Sequence, residues 1–124
     1  MKMVLDVQTE PQTPNARTGK LMVTVACPDA EHARRLATVL VEERLAACVQ
    51  IVPGIESIYR WKGAIETASE TLLLVKTAQT KWDALAAAVQ RLHPYEVPEI
   101  LAVPIACGLD SYLDWMDGEL NSGD

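Results

Sequence analysis

Two hydrophobic periods alternate along this chain. Residues 21–27 (Leu-Met-Val-Thr-Val-Ala-Cys) form a β-rich run bounded by Gly19 and Pro28, which predicts a first strand. The period then becomes helical. Ala33, Leu36, Ala37, Leu40, Val41 and Leu45 recur on one face and Arg34, Arg35, Glu42 and Glu43 on the other, predicting an amphipathic helix over residues 30–45. Asp29 stands at the N-cap position and Glu31 in the first turn, where the helix dipole favours a carboxylate. Residues 47–52 read as a strand, Pro53-Gly54 as a bend or bulge, and residues 55–61 as renewed alternation ending in a Lys62-Gly63 turn. Residues 64–70 lead back into a buried-type strand over 71–77. A second helix is expected from Thr80, with Asp83 at the capping-box position, an apolar stripe of Trp82, Leu85, Ala86, Val89 and Leu92, and Pro94 as its stop. Residues 99–106 read as a fourth strand, at an edge or bulge because of Pro104, and residues 110–120 as a terminal helix. The order βαββαβ plus a final helix is the split βαβ arrangement: an α+β, ferredoxin-like sandwich with both main helices on one sheet face.

The central hairpin is too long for the body that carries it. Residues 46–79 contain one clear turn, so each arm has about 15 residues and a straight reach of about 50 Å at ~3.3 Å per residue. A compact domain of this length is roughly 35 Å across. The hairpin therefore either folds back at Pro53-Gly54 or overhangs, and an overhanging tip would expose Ile58, Tyr59, Trp61 and Ile65 together with unpaired strand edges. Self-association through the tip is the expectation.

Composition narrows the class. The 124 residues suit one domain, 49% are hydrophobic, and Phe is absent, so the core is built from Leu, Val, Ile and Ala. A formal net charge of −6 argues against nucleic acid and anionic membrane partners. Cys27, Cys48 and Cys107 make no disulfide framework, which points to reduced thiols and a cytoplasmic location. Residues 1–19 hold no signal-peptide core and read as a flexible tail, leaving residues 20–120 as the domain and 121–124 as a C-terminal tail. No run approaches membrane-spanning length.

Several residues carry candidate chemistry. His93 to Glu99 packs an imidazole, a phenol and two carboxylates into one loop. His93 with a carboxylate suits a metal such as copper or zinc, or else His93 is a structural residue in the last helical turn. Cys27 ends a strand just before a helix N-terminus, so it is either an activated thiol and soft-metal ligand or a small buried hydrophobe. Cys48 fits core packing. Tyr59, Trp61, Lys76 and Tyr95 form a second set: rings plus a cation for an anionic or planar ligand, or interface anchors and a solvated strand end. There is no phosphate loop, nucleophile elbow or close His pair, and a non-enzymatic role is expected.

The segments Ala26-Cys-Pro-Asp29, Glu43-Arg-Leu-Ala-Ala-Cys48, Ile51-Val-Pro-Gly54, Ser57-Ile-Tyr-Arg-Trp-Lys-Gly63, His93-Pro-Tyr-Glu-Val-Pro-Glu99 and Tyr112-Leu-Asp-Trp115, in this order, resemble the CutA divalent-cation tolerance family over residues 21–120. The resemblance implies a ferredoxin-like subunit in a homotrimer whose long hairpins pair between subunits, an architecture similar to that of the PII signalling proteins. It implies a link to copper tolerance and divalent metal ions, without an established reaction. The metal ligands it implies fall at Val25, Leu92 and Glu99; only Glu99 can ligate, and Cys27 and His93 stand nearby to complete a metal set of Cys27, His93 and Glu99. A sensor of a small organic ligand in the inter-subunit cleft, and a trimeric scaffold for another protein, are the alternatives.

Overall fold

The computed structural model describes residues 17–121. Residues 1–16 of the expected N-terminal tail and residues 122–124 lie outside them. The elements are β1 (Lys20–Cys27), α1 (Ala30–Glu42), β2 (Cys48–Trp61), β3 (Ala64–Ala78), a 3-10 turn (Gln79–Lys81), α2 (Trp82–Leu92), β4 (Leu101–Pro104) and α3 (Asp110–Asn121). They build one antiparallel sheet in the order β2-β3-β1-β4. This is the expected ferredoxin-like α+β topology.

The alternation in β1 and β3 sets the layers. Leu21, Val23, Val25 and Cys27, with Leu73 and Val75, point to one face and are fully or almost fully buried. They meet Ala33, Leu36, Ala37 and Leu40 of α1 and Leu85, Ala88 and Val89 of α2 in one core. Both helices therefore cover the same face, because each strand offers only every second side chain to them. Met22, Thr24 and Ala26 of β1, and Leu72, Leu74 and Lys76 of β3, fall on the other face, where β4 adds Leu101 and Val103, both at least half exposed.

Local chemistry explains the ends. The Asp29 carboxylate accepts from the His32 backbone N–H at 2.8 Å, the expected N-cap. Helix α1 stops at Glu42, earlier than its apolar stripe, because Arg44 takes a left-handed backbone (φ 58°). From there the Arg44 guanidinium donates to the Glu119 carbonyl at 2.6 Å and so fastens α3. The capping box expected at Thr80 and Asp83 is not made. Thr80 lies inside the 3-10 turn, helix α2 begins at Trp82, and neither Ala78 nor Lys81 is capped by a side chain. An N-cap needs an extended backbone, which the 3-10 turn does not supply at Thr80. The fourth strand is shorter than expected, four residues that end at Pro104 on the sheet edge, where a residue without an N–H is tolerated. Just beyond Pro104 the Thr18 hydroxyl donates to the Ile105 carbonyl at 2.6 Å, so the last residues of the 1–19 stretch are tied to the sheet. Helix α3 runs through Asn121 and buries Met116 and Leu120 against Ala47 and Ala78. Lys20 pairs with Asp117 at 2.9 Å beside it.

The hairpin overhangs. Its register slips between Val52 and Ile55, where Gly54 takes φ 70°, and then runs unbroken to the turn. Lys62 and Gly63 both take positive φ, 51° and 83°, as a two-residue type I′ turn requires. Ile58 and Ile65 near the tip are 68% and 61% exposed, far more than isolated aliphatic side chains in a folded subunit need be.

Leu73 is central to the layer that holds sheet and helices together. Leu73→Ala is expected to cost roughly 2–5 kcal/mol in denaturant unfolding. A loss below about 1 kcal/mol would contradict this placement of the core.

Candidate functional site

Two cavities lie on opposite faces of the sheet at the β1 end near α2. The larger, about 770 Å³, is on the helix-free face. One wall is the hairpin: Ser57, Tyr59 and Trp61 pair across to Ala68, Glu66 and Ala64, and Ile55 pairs to Glu70. The other wall is the 93–99 loop, which wraps around the end of β1 and contributes Tyr95, Glu96 and Glu99. The smaller, about 160 Å³, is on the helix side and is lined by Cys27, His32, Arg35 and His93 among others.

His93 fixes the loop between them. Its ring is buried. Nε2 lies 2.7 Å from the Ala26 carbonyl, and Nδ1 accepts the Tyr95 backbone N–H at 3.1 Å. A carbonyl only accepts, so Nε2 carries the proton and Nδ1 the lone pair. The single lone pair that a metal would need is thus engaged. Tyr95 follows with its ring 4.7 Å from that of His93, and its hydroxyl donates to Glu70 Oε2 at 2.9 Å. Desolvation, and then the bond to Glu70, push the Tyr95 phenol up to about 12. Glu99 accepts from the Thr24 hydroxyl at 3.0 Å on the helix-free face.

This geometry separates the expected metal set. Cys27 is 1% exposed and points to the helix side, where burial, reinforced by Asp29 and Glu70, pushes its thiol up to about 11. It is a buried thiol rather than an activated thiolate. Glu99 is on the opposite face and His93 has no free lone pair. Among the described residues, no group of three His, Cys, Asp or Glu side chains is disposed to hold a metal ion. Within one subunit, Cys27, His93 and Glu99 do not converge. Two of the three positions that the resemblance implied are no better placed: Val25 is in the core and Leu92 carries no ligand atom.

The second expected set is brought together in part. Tyr59, Trp61 and Tyr95 all line the large cavity; Lys76 does not. Lys76 shares the face but stands six residues along β3 from Glu70, roughly 20 Å at ~3.3 Å per residue, and donates to Gln50 at 2.7 Å. The residue that sequence reasoning missed is Glu70. It is 8% exposed and occupies the place where a cation was expected. Its signal was its parity with Leu72 and Leu74, which puts a carboxylate in line with the apolar residues of the helix-free face.

The topology and the overhanging hairpin define a ferredoxin-like subunit with a carboxylate-walled cavity at the root of its hairpin. The chain belongs to the CutA1 divalent ion tolerance protein family, whose profile matches residues 21–119. It is 55% identical over 95 residues to a divalent-cation tolerance protein CutA of Thermus thermophilus, covering 77% of this chain and 92% of that one. A solved Cut A1 structure from Thermus thermophilus superposes with a TM-score of 0.76 at 54% identity, over 77% of this chain and 93% of that one. A chloroplastic CutA of Arabidopsis thaliana is 47% identical over 96 residues, 77% of this chain but 53% of that protein, so the chain spans about half of that relative. The CutA of Archaeoglobus fulgidus, described as a periplasmic divalent cation tolerance protein, matches with a TM-score of 0.80 at 39% identity, over 82% of this chain and 99% of that one. Among the described residues, no helix is long and apolar enough to cross a membrane.

Cys27 and Tyr95 keep their protons in the folded protein at pH values where the unfolded chain releases them, near 9.0 and 10.0. Their contribution is therefore complete below about pH 9 and is lost as pH rises toward 11 and 12. The urea midpoint is expected to hold to about pH 9 and fall beyond it, with the early part of the fall reduced in Cys27→Val. A midpoint unchanged up to about pH 11 would contradict the burial of Cys27.

Proposed function

We propose that the protein is a cytoplasmic, non-enzymatic homotrimer that binds divalent cations, copper among them, as part of metal-ion tolerance. The observation that carries this reading is the charge of the large cavity. Glu70, Glu96 and Glu99 line it, and no Lys, Arg or His side chain does so among the described residues. Oxygen donors without a neighbouring cation attract metal ions rather than anions. One subunit leaves the donor set incomplete, so the remaining ligands come from a second copy. Assembly is favoured by the exposed hairpin tip and by the uncovered sheet face, where Val52, Leu101 and Val103 are at least a third exposed. The number three rests on the family resemblance, and so does copper. The trimeric family architecture and the divalent-cation name of the relatives support the reading; the reduced thiols support the cytoplasm.

A second reading has its own observation. A cavity of about 770 Å³ flanked by three aromatic rings is the size of a small organic ligand's site, so a sensor of such a ligand is the alternative.

Calorimetric titration of the chelator-stripped protein with Cu(II), Cu(I) and Zn(II) tests the metal reading. Saturable binding at a fixed ratio to subunits is expected, weakened at least about tenfold by Glu99→Gln and unchanged by Cys27→Ser, since Cys27 is on the other face. No saturable binding of any of the three ions would overturn it.

A further inference from the structure

We infer that the large cavity binds an organic amine in its protonated form, with the ammonium on Glu70 and the apolar body against Tyr59, Trp61 and Tyr95. This deepens the small-ligand reading above, on which it rests, by fixing the sign and shape of the ligand. A Lys76-based cleft would have selected an anion; with Lys76 removed along the strand, the selection inverts.

Glu70 carries the inference. It is 8% exposed, yet no cation pairs with it among the described residues. Its Oε2 accepts from the Tyr95 hydroxyl. Its Oε1 has no hydrogen-bond partner among the described residues, and no fully sealed side-chain oxygen there lacks one. Oε1 therefore keeps some access to solvent, and the cavity is what Glu70 lines. A mostly desolvated carboxylate oxygen with an unused lone pair calls for an N–H donor with positive charge. Tyr95 cannot offer a second proton, because its hydroxyl is already committed and its ring faces His93.

The surroundings set the rest of the ligand. Glu96 and Glu99 deepen the negative potential at the loop wall. Tyr59 and Trp61 line the cavity and are 45% and 48% exposed, and aromatic rings attract a cation's head and cover an apolar body. A neutral ligand of the same shape offers Oε1 only an uncharged donor, the weaker partner for a carboxylate, and an anion would meet three carboxylates. Discrimination is therefore in the charge, with the rings supplying area.

The test uses the assembled, full-length protein and three compounds of nearly one shape: 2-phenylethylamine, 2-phenylethanol and 3-phenylpropanoate. Saturable calorimetric binding of the amine is expected, at least about tenfold tighter than that of the alcohol or the acid, and at least about tenfold weaker in Glu70→Gln, whose amide still accepts from Tyr95. Equal binding of the alcohol, preferential binding of the acid, or no binding of the amine would overturn the inference. The ligand series reads wild-type protein alone, so it decides the matter even if the variant fails to fold. The metal titration is a separate readout: amine binding without metal binding sinks the metal reading only, and metal binding without amine binding sinks this one only.

Discussion

Both helices of this subunit's core lie on one face of a four-stranded sheet, and the hairpin in that sheet is longer than the body beneath it. Everything else depends on this constraint. Strand geometry sends alternate side chains to opposite faces. Leu21, Val23, Val25, Leu73 and Val75 therefore meet the helices, and Met22, Thr24, Leu72 and Leu74 fall on the face that the helices leave uncovered. The 14 residues of β2 and 15 of β3 outrun α1 and α2, so the tip carries its apolar groups into solvent. The chain holds its core on one side of the sheet and exposed apolar side chains on the other.

The same constraint sorts the chemistry. The loop after α2 has to pass from the helix face around the end of β1 to reach β4, and His93 is the fastening at that crossing. It bonds the Ala26 carbonyl with one nitrogen and the Tyr95 amide with the other. With both nitrogens engaged, the histidine organises the loop instead of a ligand. The passage also divides the neighbours of His93. Cys27 stays on the helix side as a buried thiol, and Tyr95 and Glu99 reach the far side, where Tyr95 meets Glu70. The large cavity is thus acidic and aromatic because of which residues clear the sheet end.

The pattern of the chain made most of this fold readable. Alternation in residues 21–27, the helical stripe beginning at Ala33, the Asp29 cap, the bulge at Pro53-Gly54 and the Lys62-Gly63 turn all carry local signals, and each is found in place. Features that depend on a distant partner carried none. Arg44 adopts a left-handed backbone, where glycine is usual, while its side chain bonds the Glu119 carbonyl 75 residues away. The site was half legible. Tyr59, Trp61 and Tyr95 were picked out as a set by their type and do share a cavity. Lys76 shares a strand with Glu70, but strand rise sets it far from that carboxylate. Cys27, His93 and Glu99 share ligand chemistry near element ends, and sequence order does not reveal which side of a sheet a loop has crossed to.

In the proposed assembly, copies of the chain cover one another's hairpin tips and helix-free sheet faces. Sedimentation equilibrium at micromolar concentration reads this in one experiment. A single species of three times the 13.6 kDa chain mass is expected. A stable monomer at that concentration would overturn the proposed assembly.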